Sequence, residues 1–407
     1  MRLLVYPGVM EVGGSQINAV ELAHQAAVAG HEVVLFGPGG DLCTMVADLG
    51  LEYIRSPQEF RWPSRANMAA LERLVVARGI DVVHGYEWGP SLDLAFGPHR
   101  TLGTPMVTTV LSMDVPDHIP RHEPLVVGTR RLYEEQQARR GRVHLIEPPI
   151  DLVRNAPGGG GTDPRTSFGL VRSDVVVAVV CRLSSDLGKV DGVLDAIDTV
   201  GRLASTSPVR LLVVGTGPAA AQVRDRAAAV NGAAGRPIVV VTGQLLDPRS
   251  AYDAADVVLG MGSSALKGMA FGKPLVVQGE HGGWEPLTTT TVDGFLHHGW
   301  LGTGPGYGRD LESVLRDLLD DPAERARLGL LGRQTVLDRY SLAAAARTQA
   351  GVYEDAVAHR PTKAATARAL RRCAVDVAKF KLALARSRIP AAGRVTGGDA
   401  WGERSAA

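Results

Sequence analysis

The stretch "DVVVAVVCRLSSDLGKVDGVLDAI", residues 174–197, decides the fold. Its first half is a continuous apolar run rich in β-branched residues, which reads as a strand covered on both faces. The turn that follows leads into a helix, so the whole stretch is a βα unit. Arg182 and Lys189 then fall at the carboxyl end of a sheet, where folds of this kind bind ligands. Two cations there suit the diphosphate of a leaving nucleotide, because charge develops on that group as its bond to the carried group breaks. A solvated pair of loop cations is the plainer alternative.

The same unit recurs on both sides. Downstream, "VRLLVVGTG", "RPIVVVTGQ", "DVVLGMG" and "KPLVVQGE" are further strands separated by helical segments. Upstream, "RLLVYPGV", "HEVVLFGPG", "IDVVHGY", "TPMVTTVLS", "PLVVGT" and "RVHLIEPPID" form a second series. Between the series, "NAPGGGGTDP" (155–164) has no periodicity and reads as a linker. The expected architecture is two doubly wound, Rossmann-like α/β domains facing a crevice, residues 1–154 and 165–340, with the site in that crevice. Residues 341–388 then read as helices and 389–407 as a disordered tail. From Arg360 to Arg388 there are nine Lys or Arg and one acid, Asp376. Leu370, Cys373, Val377, Phe380 and Leu384 make one helical stripe there. That helix packs on the protein or lies on an anionic membrane surface.

With 407 residues, 45% hydrophobic content and a net charge of +1, the chain reads as globular and shows no general preference for nucleic acid or membrane. Cys43, Cys181 and Cys373 are odd in number and far apart, which argues against a disulfide framework or a zinc site and for a reducing cytoplasm. The amino-terminal "MRLLVYPGVMEVGG" reads as a buried strand rather than a signal peptide.

Several turns have residues suited to a ligand. Gly13 and Gly14 let a ligand approach the backbone, Ser15 can cap the next helix, and that helix start favours an anion; a tight turn explains the glycines equally well. This is not GxGxxG, and no acid ends the second strand, which weakens a nicotinamide-dependent reading. Gly215, in "VVGTGP", and Gly243 with Gln244, after the next strand, are candidates to line a nucleotide pocket. Ser263 and Ser264 open the helix of "GMGSSALKGMAFGKP" (260–274), where hydroxyls and amides suit a phosphate or a sugar hydroxyl. Lys267, one turn later, adds charge to that phosphate or is a surface lysine. In "GEHGGWE" (279–285), Glu280 and Glu285 are candidates for sugar hydroxyls and His281 for the acceptor, with the glycines read as room for a ligand. Asp114, Asp117 and His118 in "DVPDH" invite a metal, but Pro116 makes the segment a loop and no second cluster completes a site, so no metal is expected.

These pieces, in order, resemble family 4 of the GT-B glycosyltransferases over most of residues 1–345. The matching segments are GGSQ, Arg182–Lys189–Gly192, GTGP, the run through Tyr252 to Asp256, "MAFGKPLVV", "GEHGGWE" and "DDPAERARLGLLGRQTVLDRYS". The resemblance implies transfer of a sugar from a nucleotide donor to an acceptor with retention of configuration and without a metal. By that resemblance Arg182 and Lys189 contact the donor diphosphate, and Gly13 and Gly14 lie near donor phosphate and acceptor. Three departures stand out. Lys267 replaces the glutamate that commonly holds the ribose. The segment before it, "LGMGSS", carries no acid. Leu111 stands where a histidine is frequent, with Ser112 and Asp114 as neighbours and His84 or His118 as substitutes.

The sequence reading is therefore a cytoplasmic, hexosyl-type glycosyltransferase using a UDP-, GDP- or dTDP-linked sugar, with no other cofactor. Its expected acceptor is a small molecule, a glycan or a lipid-linked group met on the side of Ser15, His84, Asp114 and His281, with no nucleic-acid partner. The rival reading is a GT-B-like binding or scaffold protein that has lost donor chemistry.

Overall fold

A computed structural model describes residues 1–57, 62–158, 163–304 and 306–387. Residues 159–162 of the central linker and the 389–407 tail lie outside them. The chain forms two compact units, Met1–Pro149 with Leu342–Ala407, and Ile150–Ser341.

The first unit is built on a seven-stranded sheet. Its strands are β1 (Arg2–Tyr6), β2 (Glu32–Gly37), β3 (Glu52–Arg55), β4 (Val82–Tyr86), β5 (Met106–Val110), β6 (Leu125–Val127) and β7 (Val143–Leu145). The order is β3-β2-β1-β4-β5-β6-β7, with every pairing parallel. Alternation along β1 shows why continuous apolar runs were required. Leu3 and Val5 enter the core against helix Gly14–Val28, while Leu4 and Tyr6 enter the opposite core beneath helix Arg65–Arg78.

Helices Leu342–Ala358 and Lys363–Ser387 also belong to this unit. Leu370, Cys373 and Val377 of the basic helix are buried, the latter two against Leu92, Trp88 and Phe96. Phe380 packs on Trp88 and His118. Most of the carboxy-terminal apolar stripe is thus covered by the protein itself. Among the described residues no helix is long and apolar enough to cross a membrane.

The second unit has six strands: β8 (Val175–Val180), β9 (Val209–Val214), β10 (Val239–Gly243), β11 (Val257–Gly260), β12 (Leu275–Gln278) and β13 (Trp284–Pro286). Their order is β10-β9-β8-β11-β12-β13, parallel except for the antiparallel β12–β13 edge pair. Val177, Val179, Leu211 and Val213 face one core, and Val176, Ala178, Leu212 and Val214 face the other. Two strands were not legible from the residues. The sequence of β3, EYIR, is short and half polar, and β13 lies inside the glycine-rich run taken as a ligand loop.

Candidate functional site

In the second unit, strand order reverses between β8 and β11, the place where an open α/β sheet leaves a crevice at its carboxyl ends. The loops leaving these two strands carry Arg182 to Lys189 and Met261 to Ser264. Each leads into a helix, Lys189–Leu203 and Gly262–Ala270, whose first amides receive no side-chain cap. Val190 N–H is already bonded to Ser184 O (3.3 Å) and Gly262 N–H to Trp300 O (2.9 Å), so what each start offers an anion is its other first-turn amides and its positive dipole end.

Backbone contacts fix the β8 loop closely. A Cβ on Gly215 would lie 1.9 Å from the Cys181 carbonyl oxygen, and one on Gly217 would lie 2.4 Å from that of Leu183. Leu183 N–H donates to Thr216 O (2.9 Å) and Ala219 N–H to Leu183 O (3.0 Å). From the other side, the Gln278 amide donates to Gly188 O at 2.6 Å. Gly192 makes this possible, since its Cβ would fall 2.2 Å from the Gln278 amide carbon. The spacing between Lys189 and Gly192 therefore has a mechanical cause. Gln278 clamps two successive left-handed residues, Leu187 (φ 54°) and Gly188 (φ 66°), and these aim Lys189 at the first turn of its helix.

Lys189 is paired with Asp186, which also accepts from the Ser184 hydroxyl. Burial pushes the Asp186 carboxyl up, but the hydrogen bonds from Lys189 and Ser184 and the Lys189 charge outweigh it and hold the group below its ordinary range. Asp186 was missed in the sequence because its part depends on the folded turn.

Ser264 accepts from the buried Tyr252 hydroxyl at 3.1 Å. Ser263, one turn ahead of Lys267, shares a helix face with it. Gly243 ends β10 with φ 77°, and Gln244 beside it is exposed. Glu280 and His281 lie past the end of β12, but Glu285 pairs with Val277 within the β12–β13 hairpin, below the carboxyl edge. The glycines of this run are also explained differently. A Cβ on Gly283 would meet Tyr307 O at 1.7 Å, and one on Gly279 would meet the Tyr307 ring at 2.6 Å. Gly279 and Gly283 thus make room for the protein's own Tyr307 segment, whereas a Cβ on Gly282 would meet nothing within 4 Å.

The first unit repeats the arrangement at its β1/β4 reversal. Gly13 and Gly14 open helix Gly14–Val28, and the Ser15 hydroxyl donates to Glu87 Oε1 at 3.1 Å. Glu87 also accepts from the backbone N–H of Leu111 (3.0 Å) and Ser112 (3.2 Å) and from the Ser112 hydroxyl. Its backbone (φ 63°, ψ 177°) lies in a region left almost wholly to glycine. Burial raises its carboxyl and these donors pull it back, with the net shift upward. Sequence reasoning passed over Glu87, although an acid directly after the apolar strand "DVVHGY" was the available signal. Asp114 lies exposed past the end of β5.

His84 is not at this edge. It is buried within β4, its ring stacked on Tyr86. Gln349 donates to the Tyr353 hydroxyl (2.7 Å), which in turn donates to His84 Nδ1 (2.8 Å), leaving Nε2–H for Thr109 Oγ1 (2.7 Å). The expected acceptor histidine is instead a link between the sheet and helix Leu342–Ala358. Burial lowers its pKa to about 3. The unfolded imidazole takes a proton below about 6.5, so the stability due to keeping it neutral is complete above that pH and is lost as pH falls from about 6.5 towards 3. Melting temperatures of the wild type between pH 7 and 5 should fall more steeply than those of His84→Gln. Equal slopes would remove His84 as the cause.

His118, the other substitute, is buried against Trp88 and Phe380. Asp117 pairs with Arg121, and Asp114 accepts from Val115 N–H, so the "DVPDH" residues form no common cluster.

Residues 13–138 match the family model described as a glycosyl transferase 4-like domain, and residues 174–300 match that described as glycosyl transferases group 1. A glycosyl transferase domain model thus matches within each of the two units. The second matched region contains the β8/β11 reversal and its loops, and the first begins at Gly13, at the start of the helix that follows β1. The protein has the GT-B fold, as its likeness to solved structures shows. One is a glycosyltransferase from Rickettsia africae (TM-score 0.69, 13% identity, covering 87% of this chain and 98% of that one). Another is Anabaena HepE in complex with UDP and glucose (0.67, 16%, 87% and 100%). A third is the catalytic domain of starch synthase IV from Arabidopsis thaliana bound to ADP and acarbose (0.63, 12%, 88% and 99%). No curated protein sequence matches the chain.

Proposed function

We propose that the protein transfers a hexosyl-type sugar from a nucleotide-activated donor to a hydroxyl acceptor, with retention of configuration. The observation that carries this is the meeting of two uncapped helix starts with Arg182 and Lys189 at the β8/β11 reversal. Such a place accepts a diphosphate and stabilises the charge that collects on it as the anomeric carbon–oxygen bond breaks. The structural likeness to HepE with UDP and to starch synthase IV with ADP supports a nucleotide donor. Ser263 and Lys267 stand where the family's acids are missing and serve the phosphates or ribose. On the first unit, Ser15 and Asp114 near the β1/β4 reversal meet the acceptor, with Glu87 holding Ser15 and Ser112 in place.

A non-catalytic binding role is the second reading, favoured by Lys267 and by the lack of an acid in residues 259–264. Thermal shift and donor hydrolysis with UDP-, GDP- and dTDP-sugars separate the two. The enzyme reading expects one nucleotide series to raise the melting temperature by several degrees and its sugar to be released slowly. A shift without release with any acceptor supports binding alone, and no shift with any nucleotide ends the donor assignment. Proton NMR of the first product then reads its anomeric configuration.

A further inference from the structure

On the first unit, at the opposite edge of the sheet from Ser15 and Glu87, three side chains converge. His99 ends the π-helical segment Ala95–His99 that precedes β5, and His122 and Glu123 precede β6. His99 Nε2 lies 2.9 Å from His122 Nε2. Glu123 Oε1 lies 3.6 Å from the first nitrogen and 3.8 Å from the second. The point equidistant from the corners of a triangle with these sides is about 2.0 Å from each, the bond length of zinc to imidazole nitrogen and carboxylate oxygen.

The surroundings fit an ion better than they fit the three groups alone. The Glu123 side chain is 1% exposed, yet neither of its oxygens has a hydrogen-bond partner. A buried carboxyl left in that condition is costly. Its nearest guanidinium, Arg142, stands 3.7 Å from Oε2 and leaves Oε1 to the imidazoles. His99 Nδ1 lies 2.8 Å from the Thr104 carbonyl oxygen, so the proton is on Nδ1 and the Nε2 lone pair points at the cluster. That is the orienting contact metal-bound histidines usually have.

We propose that His99, His122 and Glu123 bind a divalent transition metal, zinc by the chemistry of the donors, with a fourth position left to water. Being at the far edge of the sheet, the ion ties the segment before β6 to the helical segment before β5. His99 also lines a cavity of about 960 Å³ beside the carboxy-terminal helix, with Leu370 and Val377 on its wall. The metal thus supports the floor on which that helix is seated.

The test uses full-length, tag-free protein stripped with chelator and dialysed against zinc, with bound metal counted by mass spectrometry and melting followed in parallel. One zinc per chain and a melting temperature several degrees higher are expected. His122→Gln and Glu123→Gln should bind at least about 100-fold more weakly, since losing even an orienting neighbour costs a metal site 10- to 100-fold. No retained zinc in the wild type, or unchanged stoichiometry and affinity in both variants, would overturn the site. Should the variants fail to fold, cobalt added to stripped wild type decides. The intense visible bands of a four-coordinate ion support the site, and the weak spectrum of aqueous cobalt refutes it.

Discussion

Lys189→Ala is expected to reduce sugar transfer by about 10²- to 10³-fold, the effect of removing one pre-aimed donor from a developing negative charge. The loss should appear mainly in kcat, because the diphosphate gains charge as the sugar leaves and a cation at its side counts most at that moment. Protein stability should barely change. Lys189 is 20% exposed and its partner Asp186 29%, and a partly exposed pair of this kind contributes about 0–1 kcal/mol. Arg182→Ala should act in the same direction at the same reversal. Transfer within about twofold of the wild type, in a Lys189→Ala protein with unchanged melting, would take the lysine out of the chemistry.

A large stability effect should come from Gly215→Ala. A methyl group there would sit 1.9 Å from the Cys181 carbonyl oxygen, well inside contact distance. The obstacle is backbone, which cannot rotate aside as a side chain can. The position also has φ 145°, which a side chain rarely adopts. Strain and overpacking together give a loss of about 3–5 kcal/mol. Chemical denaturation should show this as a lower midpoint with an unchanged slope. A loss below about 1 kcal/mol would mean that the β8 and β9 loops move apart easily, contrary to their interlocked hydrogen bonds.

Much of the fold was legible because burial on both faces leaves a plain mark. Strands β1, β8 and β9 are apolar at nearly every position, and each is followed by a turn and a helix. β3, with its pattern of half-buried and exposed residues, has no such mark. The site was legible in part for the same reason. Loops at the carboxyl ends of parallel strands can be found by finding the strands, so Arg182, Lys189, Ser263 and Ser264 could be placed just after β8 and β11. What a side chain does there depends on its neighbours, and those come from distant parts of the chain. His84 looked available until Tyr353, 269 residues away, took one of its nitrogens. The glycines 279–283 looked like room for a ligand, because a missing side chain does not say whether ligand or protein fills its place. Glu87 and Asp186 were overlooked because each gains its part through contacts that only the fold supplies.

The Lys189–Asp186 pair gives the resting molecule a built-in placeholder. Asp186 occupies the lysine the way a donor phosphate would, so an incoming group must displace a carboxylate rather than enter an open charge. A singly charged anion gains little by that exchange. A diphosphate, spanning the lysine and the helix amides together, gains more. On the proposed donor assignment the turn discriminates by what each anion gains in the exchange, since all of them, a diphosphate included, meet a seat already taken.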